Sequence, residues 1–299
     1  MMTILFRTIV ASFVFASLID VSFADGEPEK RPDLFQVKHW GYQLQGPDFE
    51  EIAASPLDLI VIDASRDGSR EGAYLPEEID QLKTKPDGSR RLVISYLSIG
   101  EAEDYRGYWQ EEWNDNPPEW LGEENSNWPG NYLVEYWNES WQTIIEKQFD
   151  RVIDAGFDGV YFDRVDIYWD YRERPTSEED IIAFVKRLVD RARDKNPSFL
   201  IMAQNAEALF MHDAYAALLD GEGKEDLFFG INGDEVPNSE EEIYWSRKYL
   251  LQGYEKGVPI FVIEYLQDET LRQQAREKIR QLGFLPIFAE RSLSLLPQE

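Results

Sequence analysis

The 299-residue chain contains no cysteine and only two histidines. Without thiols it cannot form disulfides, zinc–thiolate sites or a cysteine nucleophile. Two histidines argue against a multi-histidine metal site and against most Ser-His-Asp triads. A Gly-x-Ser-x-Gly motif is absent, and Gly221–Lys224 lacks the flanking strand and spacing of a phosphate-binding loop. Any catalysis must therefore depend on carboxylates, and we expect no cofactor and no metal.

Basic residues are also scarce, since 58 Asp and Glu face 30 Lys and Arg, which gives a formal net charge of −28 at pH 7. This charge repels a phosphate backbone, so we expect no nucleic-acid partner. It would attract a cationic partner and speed its encounter. The alternative is that the charge only keeps an exported protein in solution, and the sequence leaves both interpretations open.

Long hydrophobic runs are missing after the N-terminus. Residues 1–24 combine Arg7, a short apolar run over residues 9–18 and a small-x-small pattern at residues 22–24, as is typical of a secretory signal peptide. The run is shorter than the roughly 20 residues of a transmembrane helix; an uncleaved anchor is the alternative. We expect a secreted or periplasmic protein that is monomeric and not inserted in a membrane after cleavage.

The rest of the chain reads as one domain. Residues 25–34 are polar and contain proline, which predicts a linker, and residues 35–299 are long enough for a full hydrophobic core. Strands are predicted over residues 35–44, 58–63, 91–99, 160–162, 199–203, 227–231, 260–263 and 285–289. Helical patterns lie between them, including one over residues 207–219. This alternation predicts an α/β fold, a (β/α)8 TIM barrel. An open doubly wound sheet, the alternative, would be expected to show a glycine-rich phosphate turn.

Acidic residues recur where the predicted strands end, and Asp163 is the central example. It follows the apolar segment Val160–Phe162, and Asp166 comes within one further turn. An acid is costly inside a buried strand but can stay ionised at the mouth of a barrel, where active sites of this fold lie. The alternative is that Asp163 caps the next segment or pairs with Arg164. The acids in such positions are Asp63, Glu101, Asp163, Glu207, Glu235, Glu264 and Glu290.

Aromatic side chains occupy the same exits, and this mixture indicates sugar recognition. Two carboxylates can cleave a glycosidic bond without histidine or metal, one as a proton donor and the other as a nucleophile or base. A Ca²⁺ or Mg²⁺ site of oxygen ligands is the alternative, but EF-hand-like spacing is absent. The residues predicted to bind substrate are Trp40, Tyr42, Asp63, Tyr96, Glu101, Glu103, Tyr105, Asp166, Asn205, Glu235 and Glu264.

The longest irregular segment covers residues 105–137 and contains five tryptophans. A long segment of this kind inside a compact domain is usually a lid or a binding loop. We expect most of these indoles to pack against the barrel rim and one or two to serve as stacking platforms.

Three segments carry a family resemblance: Tyr96–Glu103, Gly156–Asp163 and Gln204–Glu207. They resemble the signature segments of glycoside hydrolase family 114, which contains endo-α-1,4-polygalactosaminidases and related extracellular TIM-barrel proteins. The similarity runs from Trp40 to Phe288. It implies that Asp163 and Glu207 are the two catalytic acids. Because Asp163 ends a rigid buried strand and Glu207 lies at a predicted helix start, we predict Asp163 as nucleophile and Glu207 as general acid/base of a retaining hydrolase, although the roles could be reversed.

The sequence thus predicts an exported, endo-acting glycoside hydrolase that cleaves an α-linked polysaccharide, expected to be an amino-sugar polymer. A cationic substrate of this kind would match the acidic chain. The alternative from another class is a catalytically silent carbohydrate-binding or envelope-structural protein on the same barrel.

Overall fold

The computed structural model describes residues 31–297, and the predicted signal peptide lies outside them. Eight parallel strands pair in chain order, as expected for the predicted (β/α)8 barrel. They are β1 (Trp40–Gln43), β2 (Leu59–Asp63), β3 (Leu92–Ser98), β4 (Gly159–Asp163), β5 (Leu200–Gln204), β6 (Gly221–Glu225), β7 (Ile260–Glu264) and β8 (Leu285–Phe288).

Helices connect the strands and cover the barrel. They are α1 (Phe49–Ala54), α2 (Pro76–Leu82), α3 (Glu139–Asp154), α4 (Ser177–Lys195), α5 (Asp213–Ala216), α6 (Glu240–Glu255) and α7 (Glu269–Gln281), with 3₁₀ turns at Leu34–Gln36, Glu111–Asn114, Val165–Trp169 and Glu207–Met211. Side-chain caps start several of them: the Asn138 side chain accepts from the backbone N–H of Ser140, and Ser239 forms a capping box with Glu242. Within the described residues, none of the helices has the length and apolar character that a membrane span requires.

Strand alternation decides which side chains enter the barrel. Trp40, Leu59, Tyr161, Met202 and Phe261 belong to one buried cluster inside it. Except on β1, their neighbours along the strands belong to a second cluster between the strands and the helices. Because side chains alternate along a strand, the last inward position of each strand faces the C-terminal mouth.

The barrel closes between β1 and β8 without a strand ladder in the described residues. The backbone N–H groups of Leu44 and Gln45 both donate to the Leu293 carbonyl, at 3.0 and 3.1 Å. The Trp40 indole donates to the Leu285 carbonyl at 3.3 Å. The segment after β8 therefore completes the wall of the mouth next to β1.

Seven of the eight predicted strands overlap observed ones, but the sixth prediction was wrong. The strand is Gly221–Glu225, whereas Phe229–Gly230 forms a short hairpin with Gly233–Pro237. The first two inward positions of β6 are Gly221 and Gly223, and the Tyr161 hydroxyl lies where a Gly223 Cβ would stand. A strand of this composition lacks the apolar run that marks the other strands.

Two other boundaries differ from the predictions. Leu34, placed at the end of the linker, is buried in the interior cluster near Gly221, so the domain includes it. The helix predicted over residues 207–219 is split into the turn Glu207–Met211 and the short α5.

The tryptophan-rich segment has a structure of its own. Glu101–Glu103, Asn131–Val134 and Leu121–Glu124 form a three-stranded antiparallel sheet above the exit of β3. Trp120 is buried, and Trp109, Trp113 and Trp137 pack partly buried against the core. Only Trp128 among the five is more than half exposed, at 57%. The expectation that most of these indoles are packed is confirmed, and a stacking role for Trp128 stays a prediction.

Candidate active site

The C-terminal ends of the strands open into a cavity of about 640 Å³. The inward positions that end the strands form its floor, as alternation requires. They are Tyr42 of β1, Asp63 of β2, Tyr96 of β3, Asp163 of β4, Gln204 of β5, Glu225 of β6 and, just after β7, Tyr265. Trp128 and Tyr105, from the segment after β3, contribute to its upper wall. Acids and aromatic rings therefore share one cavity.

Strained backbone follows three adjacent strands and increases the number of polar groups in the cavity. Arg164, Asn205 and Asp226 come directly after β4, β5 and β6, with φ of 56°, 58° and 53°. In an extended strand these side chains would point away from the interior. A left-handed residue breaks the alternation, so each lines the cavity together with the residue before it.

Guanidinium groups neutralise most of the cavity's carboxylates. Arg106 binds Asp63 at 2.7 Å and Glu103 at 2.6 Å. All three side chains are nearly buried, so these ion pairs are shielded from solvent. Tyr105 also donates its hydroxyl to Glu103. This side of the cavity is therefore a fixed, paired network.

A second guanidinium joins β4 to the tryptophan-rich segment. Arg164 Nε lies 2.8 Å from Glu101, and its Nη1 lies 3.1 Å from Asp166. Glu101 also accepts from the side-chain amides of Asn125 and Asn131, at 2.9 and 3.2 Å. The turn that carries Trp128 is thus tied to the exit of β4. On the opposite side, Arg291 binds Asp226 at 3.0 Å.

Asp163 and Glu225 differ from these acids because their hydrogen-bond partners are neutral. Asp163 accepts from the Tyr96 hydroxyl at 2.6 Å. Glu225 accepts from Tyr265, from Gln204 and, at 2.9 Å, from the Asn205 amide. Neither carboxylate forms an ion pair with a Lys or Arg among residues 31–297.

Their environment raises both pKa values. Burial raises the pKa of Asp163, while the Tyr96 hydrogen bond partly opposes the shift. Burial, followed by the charge of Asp163, raises the pKa of Glu225 to about 7. Tyr265, whose own pKa is raised well above its usual value by burial and by Glu225, remains a proton donor. At neutral pH the arrangement can hold one ionised and one protonated carboxyl, as acid–base chemistry requires.

The structure brings nine of the predicted site residues together around the cavity. These are Tyr42, Asp63, Tyr96, Glu101, Glu103, Tyr105, Asp163, Asp166 and Asn205. Four predicted residues, Trp40, Glu207, Glu235 and Glu264, do not line it.

Glu207, predicted as the second catalytic acid, lies between the barrel and the helices. It forms an ion pair with Lys224 at 2.9 Å and accepts from the Ser246 hydroxyl at 2.6 Å. Lys224 is an outward position of β6, so this contact is made outside the barrel wall. The geometry does not support the predicted role for Glu207, because it lies outside the cavity that Glu225, the last residue of β6, lines.

The other three residues serve packing or loop structure. Trp40 is inward-facing but one layer below Tyr42, with its ring 5.2 Å from that of Phe261. Glu264 is an outward position of β7, fully buried, and accepts from the backbone N–H of Phe228 at 2.8 Å. Glu235 belongs to the hairpin after β6 and accepts from two backbone N–H groups near the start of α7.

Sequence reasoning missed Glu225 because it missed β6. The signal that could have found it is the alternation in Gly221–Glu225, where glycine and charged residues have a period of two. Within the described residues, the structure contains no cluster of three acids or histidines able to hold a metal ion.

Comparison with known proteins places these features in context. The model of glycoside-hydrolase family GH114 matches residues 23–298. Uncharacterized proteins of Deinococcus radiodurans and Thermotoga maritima are each 37% identical to this chain. The alignments cover 90% and 98% of this chain, and 85% and 91% of those proteins.

Solved structures share the fold. Ega3 of Aspergillus fumigatus, crystallised with galactosamine, is 19% identical with a TM-score of 0.67, over 91% of this chain and 98% of that one. The glycoside hydrolase domain of PelA from Pseudomonas aeruginosa is 16% identical with a TM-score of 0.68, over 88% and 98%.

Proposed function

The chain belongs to glycoside-hydrolase family GH114, and from its geometry we propose that it cleaves an α-linked amino-sugar polysaccharide with Asp163 and Glu225. The observation that carries the proposal is that neither carboxylate is bound by a cationic side chain within the described residues. Asp163 and Glu225 accept hydrogen bonds from neutral side chains. Arginines bind the other acids at the strand exits of the cavity, which are Asp63, Glu101, Glu103, Asp166 and Asp226. Carboxyls that stay free of fixed counter-charges can exchange protons and react with a sugar.

The two carboxyls suit different roles. Glu225, with a pKa of about 7, is protonated in part of the molecules at neutral pH and can donate to the leaving glycosidic oxygen. Asp163 is held by Tyr96 at the rigid end of β4, which suits a group that attacks the anomeric carbon. We propose a retaining reaction, in which Asp163 attacks the anomeric carbon and Glu225 then activates the water that releases the product. Proton NMR of the first product anomer tests it, and an inverted first product would contradict it.

The substrate proposal rests on charge and on the neighbouring structure. The whole chain carries a net charge of −28, which favours encounter with a polymer bearing protonated amines. Ega3, which shares the fold, was crystallised with galactosamine. Trp128 and Tyr105 offer ring faces along the cavity, consistent with a long chain passing through an open groove and with endo action. We also propose that the protein acts outside the cytoplasm, since its first 24 residues read as a secretory signal.

Reducing-end release from a panel of purified polysaccharides tests the activity. The panel contains α-1,4-linked polygalactosamine, its N-acetylated form and neutral α-glucans. We expect release from the amine-bearing polymer, rapid shortening of its chains, and loss of release in Asp163→Asn. Glu290→Gln is the matched control, because Glu290 also follows a strand but does not line the cavity. Binding without release by the wild-type protein would instead support a catalytically silent carbohydrate-binding protein.

A further inference from the structure

A second cavity, of about 420 Å³, lies beside the first and outside the barrel wall. This volume falls in the range of small-molecule sites. Its walls come from the β2–α2 loop, the end of β3 and the C-terminal half of α3. Asp63, Glu103 and Arg106 line both cavities, so their ion pairs form the partition between them.

The interior of this side cavity is mostly apolar. Its walls include Ala64, Tyr74, Leu97, Val152 and Ala155. The carboxylates Asp63 and Glu103 that reach it are already bound by Arg106. A ligand here would therefore need an apolar body.

The rim carries positive charge without a fixed partner, which is uncommon in a chain with 58 acids and 30 basic residues. Arg70 and Arg151 both line the cavity, and neither forms an ion pair with a residue in the range 31–297. Arg70 donates its Nε to the Gly107 carbonyl at 3.0 Å, and Arg151 donates to the Gln148 side chain at 3.2 Å. Their remaining N–H groups are available to a ligand.

The two arginines are close enough to repel each other. Burial and the charge of Arg70 lower the pKa of Arg151. The carboxylate at the same rim, Asp154, lies 3.4 Å from Lys195. An anion between the two guanidinium groups would relieve the repulsion and accept charge-assisted hydrogen bonds from both.

We propose that the side cavity is a binding site for a small amphipathic anion, with its apolar body between α3 and β2–β3 and its anionic group at Arg70 and Arg151. The site is separate from the proposed catalytic cavity and does not depend on the proposed reaction.

Two fluorescent probes of similar shape test this proposal on the wild-type protein. 8-Anilinonaphthalene-1-sulfonate carries a sulfonate, and N-phenyl-1-naphthylamine lacks it. We expect the sulfonate probe to bind at one site per chain and more tightly than the neutral probe. In the double variant Arg70→Gln/Arg151→Gln the sulfonate probe should bind at least about tenfold more weakly, since each lost charge-assisted contact is worth about that factor. The neutral probe should be unaffected.

Matched variants separate the site from general adsorption. Arg280→Gln removes an exposed charge from α7, away from either cavity, and should change nothing. Ala155→Leu narrows the side cavity and should weaken both probes, while Asp163→Asn should leave them unchanged. Equal binding of the sulfonate probe by the double variant and the wild type would overturn the proposal. Equal affinity of the two probes for the wild type, or displacement of the sulfonate probe by amino-sugar oligomers, would do so as well.

Discussion

Tyr265→Phe tests the protonation state of Glu225 without touching the carboxyl itself. The phenol donates a hydrogen bond to Oε1 of Glu225, and this contact favours the ionised carboxylate. A hydrogen bond to a charged group contributes about 1.5–3 kcal/mol, and one pKa unit corresponds to about 1.4 kcal/mol. Removing the hydroxyl should therefore raise the pKa of Glu225 from about 7 by about one to two units.

The pH dependence of kcat/KM measures this shift directly. If Glu225 must be protonated to donate to the leaving oxygen, activity falls as pH rises through its pKa. The alkaline limb of the wild type should then lie near pH 7. In Tyr265→Phe the alkaline limb of the kcat/KM profile should move to higher pH by about one to two units, even if the maximal rate is lower.

Tyr105→Phe is the matched control for this experiment. It removes a phenol from the same cavity, but that phenol donates to Glu103 instead of Glu225. Its alkaline limb should coincide with that of the wild type. An unmoved limb in Tyr265→Phe, or an equal shift in both variants, would refute the assignment of Glu225 as the proton donor.

Two further predictions concern charge. If the acidic chain steers a cationic glycan, kcat/KM should fall as salt is raised, since the Debye length is only about 8 Å at physiological ionic strength; cleavage of the amine-bearing polymer that ignores salt would contradict this. Glu264 is fully buried, and burial raises its pKa to about 8 from an ordinary 4.5. The folded state then holds a proton that the unfolded state releases, so stability should fall by roughly 3–6 kcal/mol between about pH 4.5 and pH 8. Glu264→Gln should flatten this part of the pH–stability curve in calorimetry, and a curve identical to that of the wild type would rule out the contribution.

Most of the fold could be predicted because seven strands carry apolar runs of the expected length. The sixth could not, because its first two inward positions are glycines: Gly223 makes room for Tyr161 from β4, and Gly221 lies against Leu34, Phe261 and Met202. The size of an inward side chain depends on the side chains that other strands place beside it, and the sequence of one strand does not contain that information. The buried Leu34 is a similar case, since its partners lie around Gly221, far away in the chain.

The residues around the cavity were only partly predicted, because a residue's position along a strand does not say which way its side chain faces. Position at a strand end correctly grouped Asp63 and Asp163, but it did not distinguish inward from outward residues. Glu264 ends β7 on the outward side, whereas Tyr265, the next residue, faces the cavity. Applying the two-residue period from Phe261 onward would have separated them. The left-handed residues Arg164 and Asn205 escape that period and were not predictable from it.

Glu225, and not Glu207, is the proposed catalytic partner of Asp163. Glu225→Gln and Glu207→Gln should be compared on the same amine-bearing polymer, with rates normalised to the folded fraction. The normalisation matters because Glu207→Gln breaks a buried ion pair with Lys224, which costs about 3–5 kcal/mol in such cases. We predict a loss of about 100-fold or more for Glu225→Gln and a change within about threefold for Glu207→Gln. The reverse order of the two variants would contradict the assignment.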